Sequence, residues 1–201
     1  MSTDVDKTPL DGKENQIFES IIKTPRYWGP MFRDASFPRI VSGLKNVIQM
    51  AKAQFKGRFA GWYPSGNQIG IADLRPHHLG ASASWRTNYT STGFQNYLGD
   101  ANVTVDEDVF LYFWEWQNQE PAPRSSEIKV IAGTQKLPPI DLRPLRTDKR
   151  RRLGLAEPLI LTPKTVWEAD VRIDVAGNDS LQPIGFVVGQ AHRIILDAYY
   201  G

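Results

Sequence analysis

The chain has no cysteine among its 201 residues. Disulfides, thiolate nucleophiles and cysteine-ligated zinc are thereby excluded. Histidine is scarce, with three in all. An excess of either charge is also lacking: 24 Lys and Arg stand against 22 Asp and Glu, a net +2. Only local clustering can therefore speak for a polyanionic partner. No apolar run approaches the ~20 residues that cross a bilayer as a helix, so no membrane span is expected. The opening MSTDVDKTPLDGKENQ is polar and acidic. It lacks the basic and apolar regions of a secretory signal, which sets the expectation of a protein made in a reducing cytosol. Also missing are a G-x-S-x-G elbow, a P-loop, H-E-x-x-H and G-x-G-x-x-G. No motif selects a nucleophile, a base or a carboxylate pair. The expectation is a non-enzyme without cofactor or metal.

What is present reads mostly as strands. Residues 1–16 have nothing to bury and form an extended polar arm. Residues 17–60 form a helical segment, with Ile17, Phe18, Ile21 and Ile22 at helical spacing before Pro25. The spacing predicts a longer helix over 38–56, where Ile40, Val41, Leu44, Val47, Ile48, Ala51 and Phe55 make one stripe. Ser36 is a candidate cap and Gly57 a candidate stop. From residue 61 to 201 short β-branched runs alternate with Gly, Pro and Asn turns, among 16 Gly and 14 Pro in all. TVWEADVRIDV sets Trp167, Ala169, Val171, Ile173 and Val175 on one face, with Glu168, Asp170, Arg172 and Asp174 on the other. That is an antiparallel strand with one wet side. Roughly eight such strands without intervening helices predict a mainly β fold, an antiparallel β-sandwich.

The densest aromatic run is VFLYFWEWQ, with Phe110, Tyr112, Trp114 and Trp116 on alternate positions. Bases stack on such rings only beside a cationic groove. Here Asp106, Glu107, Asp108, Glu115 and Glu120 surround the run, and residues 106–120 contain no Lys or Arg. The other face, Val109, Leu111 and Phe113, is apolar too. A strand apolar on both faces belongs in a core or a subunit interface.

The opposite extreme is RPLRTDKRRRLG. Arg143, Arg146, Lys149, Arg150, Arg151 and Arg152 are set against Asp148 alone. Such a cluster can neutralise phosphates. It can equally be a solvated loop, or pair with acidic surface on a neighbouring subunit, such as residues 106–108. Without interleaved aromatics it does not predict sequence-specific readout. The adjacent His77 and His78, read as part of a strand, would point to opposite faces and not share a metal. Asp174, Asn178 and Asp179 in DVAGNDS fit a hairpin turn better than a calcium site.

In its organisation the chain resembles structural proteins of virus particles, namely small single jelly-roll capsid proteins and capsid-decorating β-domains. The resemblance lies in the polar arm, the single helix, the Pro- and Gly-punctuated strands, and the phrases PLILTPKTVWEADVRIDV and LQPIGFVVGQAHRIIL. It covers residues 60–201. It implies a jelly-roll-like sandwich located in a virion and made in the host cytoplasm. It also implies assembly with copies of itself and other virion proteins, with nucleic acid as a further partner of the basic cluster. Two other classes compete. One is a carbohydrate-binding sandwich using Trp62, Tyr63 and Trp85. The other is a nucleic-acid-packaging protein centred on residues 143–152.

Overall fold

The computed structural model describes residues 37–55, 69–80, 84–99 and 102–190. The arm, the Ile17–Ile22 segment, Ser36, Gly57, Trp62, Tyr63 and the final HRIILDAYY lie outside them. Contacts divide the described chain into two units. The smaller holds 37–55, 69–72, 108–110 and 187–190, and the larger holds the rest.

In the smaller unit, helix α1 (Phe37–Phe55) buries one stripe. Leu44, Val47 and Ala51 have no exposed surface, while Ile40, Ile48 and Phe55 keep 3% or less. Pro38 sits in the first turn, where its missing N–H has no intrahelical partner to lose. Lys52 in the last turn opposes the negative end of the helix dipole. Phe55 meets Phe110 edge to face, with 5.8 Å between centroids.

Twelve strands follow among the described residues: β1 (Ile69–Asp73), β2 (Thr87–Tyr89), β3 (Gly93–Asn96), β4 (Val103–Thr104), β5 (Val109–Asn118), β6 (Ser125–Ala132), β7 (Gln135–Lys136), β8 (Ile140–Asp141), β9 (Arg152–Leu161), β10 (Val166–Ile173), β11 (Gly177–Asp179) and β12 (Leu181–Gln190). A short helix α2 (Pro144–Thr147) precedes β9. One sheet has the order β1-β12-β5-β9 and the other β3-β10-β6-β7, with β4 on β10 and β8 on β6. Strands β2 and β11 form a separate pair.

Take the eight strands of the two main paths in chain order. The first lies beside the eighth, the second beside the seventh, the third beside the sixth and the fourth beside the fifth. The pairs β3·β10, β5·β9 and β6·β7 are antiparallel. This is one long hairpin rolled so that successive strands of the outer pairs alternate between sheets, which is the connectivity of a jelly roll. The fold is mainly β and antiparallel, with one substantial helix among the described residues.

Within the larger unit the sheets face each other through aromatic side chains. Phe113 of β5 stands edge to face on Trp167 of β10 at 6.0 Å and on Trp116 at 5.5 Å. Strand β10 follows the expected alternation up to Ile173: Trp167, Ala169, Val171 and Ile173 are buried and Arg172 is exposed. Val175 departs from it. The strand ends at Ile173, and Val175 lies beyond it with 58% of its surface exposed.

Gly185 and Gly189 bring β12 against β5. A Cβ on Gly185 would fall 2.1 Å from the Tyr112 carbonyl oxygen, and one on Gly189 would fall 2.4 Å from that of Asp108. These glycines, inside a strand, mark close backbone approach. Strand β9 is an edge strand and is interrupted. Its partner register passes from Phe113↔Leu159 to Glu115↔Gly154, so residues 155–158 bulge opposite Trp114. Pro158 lies within that excursion. A bulge and a proline on an edge discourage strand addition.

Candidate functional site

The aromatic strand is closed to ligands. Phe110, Tyr112, Trp114 and Trp116 are each at most 1% exposed, as are Leu111 and Phe113. Tyr97 stands edge to face on Trp116 at 5.6 Å and donates its hydroxyl to the Leu181 carbonyl, 2.8 Å away. Trp114 packs on Phe186 at 5.3 Å. Burial raises the Tyr112 phenol well above its ordinary pKa. These are core contacts within the chain. Trp85, the described member of the proposed sugar-binding set, is half-buried.

The basic segment is divided by the fold. Arg143 forks onto the Asp141 carboxylate with two contacts of 2.9 Å. That pairing holds the Asp141 carboxyl below its usual value and raises the Arg143 guanidinium. Arg146 reaches Asp174 at 2.8 Å and donates to the carbonyls of Arg124 and Ser125 at 2.9 and 3.0 Å. Asp174 also accepts from the Ser126 hydroxyl at 2.7 Å, and this bond is the main cause that lowers its pKa, with Arg146 contributing. Arg152 pairs with Glu115, donating to Oε1 and, at 2.9 Å, to Oε2. Glu115 is 3% exposed. An unpaired carboxylate at that depth in an aromatic strand would cost several kcal/mol.

Three cations remain. Lys149 and Arg150 are exposed and Arg151 is half-buried. None of the three has an ion-pair partner among the described residues. They occupy a tight turn whose backbone is fixed. Arg151 N–H donates to the Asp148 carbonyl and Asn118 N–H to the Arg151 carbonyl, both at 3.0 Å. The Asp148 side chain accepts from Arg152 N–H at 3.2 Å. Arg151 takes a left-handed conformation, with φ of 50°. A side chain beyond Cβ tolerates that region at a cost of about 1–2 kcal/mol.

The acidic run 106–108 does not meet this segment within the chain: Glu107 pairs instead with Lys164 at 3.0 Å. Beside α2 an open cleft of about 510 Å3 is lined by Ser126, Glu127, Asp141, Arg143, Arg172 and Asp174. Two of its three carboxylates, Asp141 and Asp174, are those bound by Arg143 and Arg146. Reading the sequence as a contiguous basic patch misses this division. The only local hint was Asp141, two positions before Arg143.

The histidines are not on a strand. Pro76–Leu79 is a 3-10 turn ended by Gly80 in a left-handed conformation. It stacks the two imidazoles 4.0 Å apart rather than on opposite faces, because a turn lacks the two-residue alternation of a strand. Arg75 N–H donates to His78 Nδ1 at 2.9 Å. Burial, and then the neighbouring His77, push His78 down to about 3. No group of three metal-ligating side chains occurs among the described residues. In DVAGNDS, Asp179 is buried and accepts from Asn118 Nδ2 at 2.9 Å and from Arg124 N–H at 3.0 Å. Asn178 and Asp179 thus lie on strand β11 paired with β2 rather than in a hairpin turn, and of the three only Asp174 sits in a bend.

No protein-family model matches the sequence, and no curated protein matches it. Among solved structures the chain is similar to the VP2 subviral particle of infectious bursal disease virus, at 9% identity and a TM-score of 0.29, over 63% of this chain and 34% of that one. It is similar to the Gx strain structure of the same virus at 9% identity and 0.26, with the same coverage. Dimeric latent PorU from Porphyromonas gingivalis follows at 7% and 0.25, over 60% of this chain and 12% of PorU. The chain thus spans about a third or less of the length of each. Weak structural neighbours of the chain thus include two structures from one virus.

Proposed function

We propose that this chain is a structural protein of a virus particle, a jelly-roll domain that works by repeated contact with copies of itself and with other virion proteins. The observation that supports the reading is the nested strand connectivity, since the jelly roll is an architecture of viral capsid domains as well as of lectins and cupins. Against the lectin use, the burial of all four β5 rings favours the structural role. A sugar-binding face needs aromatic surface in water, and here the densest set of rings is enclosed. The protein is made in the host cytoplasm and acts in the virion. The polar segment 1–16 serves as a clamp on a neighbour, adding contact area without a large rigid face. Closed shells gain from many weak, repeated contacts of this kind.

Mass photometry and negative-stain imaging of the purified full chain test the reading. Large symmetric assemblies are expected, alone or with co-expressed virion proteins. A chain that stays monomeric at high concentration with those partners present overturns it. Deleting residues 2–16 should leave the melting temperature nearly unchanged and markedly weaken assembly.

A further inference from the structure

We propose that the turn Lys149–Arg150–Arg151 is a docking point for the phosphate backbone of nucleic acid, held without regard to base sequence. The division of the basic segment is the starting point. Arg143, Arg146 and Arg152 are neutralised by Asp141, Asp174 and Glu115. The three consecutive cations between Asp148 and Arg152 have no ion-pair partner among the described residues. Asp148 offsets at most one of the three charges, and its carboxylate accepts from the Arg152 backbone N–H rather than pairing with any of them.

The turn is also pre-organised. It is pinned at Asp148, at Asn118 and, through Arg152, at the buried Glu115. Little backbone freedom is left to lose when an anion binds, which removes one of the main costs of association. The left-handed Arg151 is the strained residue that this pinning maintains.

The chemistry favours phosphate over an acidic protein face. Protein interfaces draw most of their affinity from apolar or aromatic anchors. The exposed large hydrophobic residues among those described are Phe94, Val166 and Val175, and none belongs to this turn. A charged polymer needs no such anchor, since release of its condensed counterions supplies the free energy. The absence of aromatic residues in 143–152 leaves nothing to stack on bases, so the contact reads charge alone. The site is a separate matter from assembly, because a monomer that fails to form particles can still bind through it.

The test is fluorescence anisotropy of a labelled poly(dT) of about 30 nucleotides against the full chain, across salt. With three phosphate contacts, affinity should fall roughly 20-fold between about 50 and 200 mM monovalent salt. In the Lys149→Gln/Arg150→Gln variant the same change should shrink to about threefold. Both positions are exposed and have no ion-pair partner among the described residues, and circular-dichroism melting verifies that the fold is retained. Lys149→Gln and Arg150→Gln alone should fall between. Arg143→Gln, which removes a neutralised charge, should keep the wild-type salt dependence. The proposal fails if poly(dT) does not bind, or if the double variant keeps the wild-type salt slope. It also fails if poly-glutamate competes as effectively as poly(dT), which would assign the turn to an acidic protein surface.

Discussion

Residues 109–118 and 143–152 are ten-residue stretches of opposite character, and the fold treats them in opposite ways. The first carries rings and aliphatic side chains on both faces, and the structure encloses nearly all of them. The second carries six cations, and among the described residues three have carboxylate partners and three do not. Burial of apolar surface is non-directional, so any closed interior satisfies a ring. An ion pair depends on one particular carboxylate arriving within about 4 Å. The regions meet at one point, where Arg152 from the basic segment neutralises Glu115 on the aromatic strand.

The comparison can be broken most severely at Gly185. Gly185→Val sets a side chain against the Tyr112 carbonyl, and backbone cannot swing aside as a side chain can. The loss should exceed the ~1–3 kcal/mol of ordinary overpacking and leave little folded protein. A soluble variant with a near-wild-type melting curve would show that β12 does not lie so close to β5. Trp114→Ala comes next, with an expected loss of about 3–5 kcal/mol in denaturant titration. Iodide should quench Trp114 poorly in the wild type, and full quenching would return the ring to the surface.

At the meeting point, Glu115→Ala strands Arg152 against the aromatic strand. The expected cost is about 2–4 kcal/mol, below the ~3–5 of a wholly buried pair because Arg152 keeps contact with water. The double change Glu115→Ala/Arg152→Met should recover part of that loss, and failure to recover any would deny the pairing. On the basic side the effects become small. Arg143→Gln should leave the melting temperature within error, since that pair lies in solvent.

Acid reads the same region through Asp174. Its carboxyl is depressed by Ser126 and Arg146, so its contribution to stability is present above the ordinary carboxylate value. That contribution is lost only as pH falls through the lower folded value. Carboxyl 13C titration should place Asp174 below a free aspartate. Ser126→Ala should move it back up, and an unshifted midpoint in that variant would remove Ser126 as the main cause.

Some of this was legible in local pattern. Ile40 to Phe55 recur at helical spacing, and α1 buries that stripe. The alternation from Trp167 to Ile173 is a strand with one wet face. The two apolar faces of 109–117 called for burial on both sides. Periodicity carries such information because it reflects the geometry of one element. Its reach ends with the element, as Val175 shows by continuing the alternation in sequence beyond the end of the strand. His77 and His78 went astray for the same reason, because Pro76 opens a 3-10 turn where an alternating strand was read.

The sequence by itself determined that the molecule would be built of antiparallel strands around aromatic residues, with one amphipathic helix and no thiol chemistry. Each of these follows from composition or from a period of a few residues. Only the tertiary structure decided that the strands nest as a rolled hairpin, that Gly185 and Gly189 are points of close approach, and that Glu115 and Arg152 meet across 37 positions. The same holds for the three cations that lack a carboxylate partner among the described residues. Those outcomes depend on which distant segments arrive side by side, and pairwise contact energies of a few kcal/mol act only after the chain has brought them together.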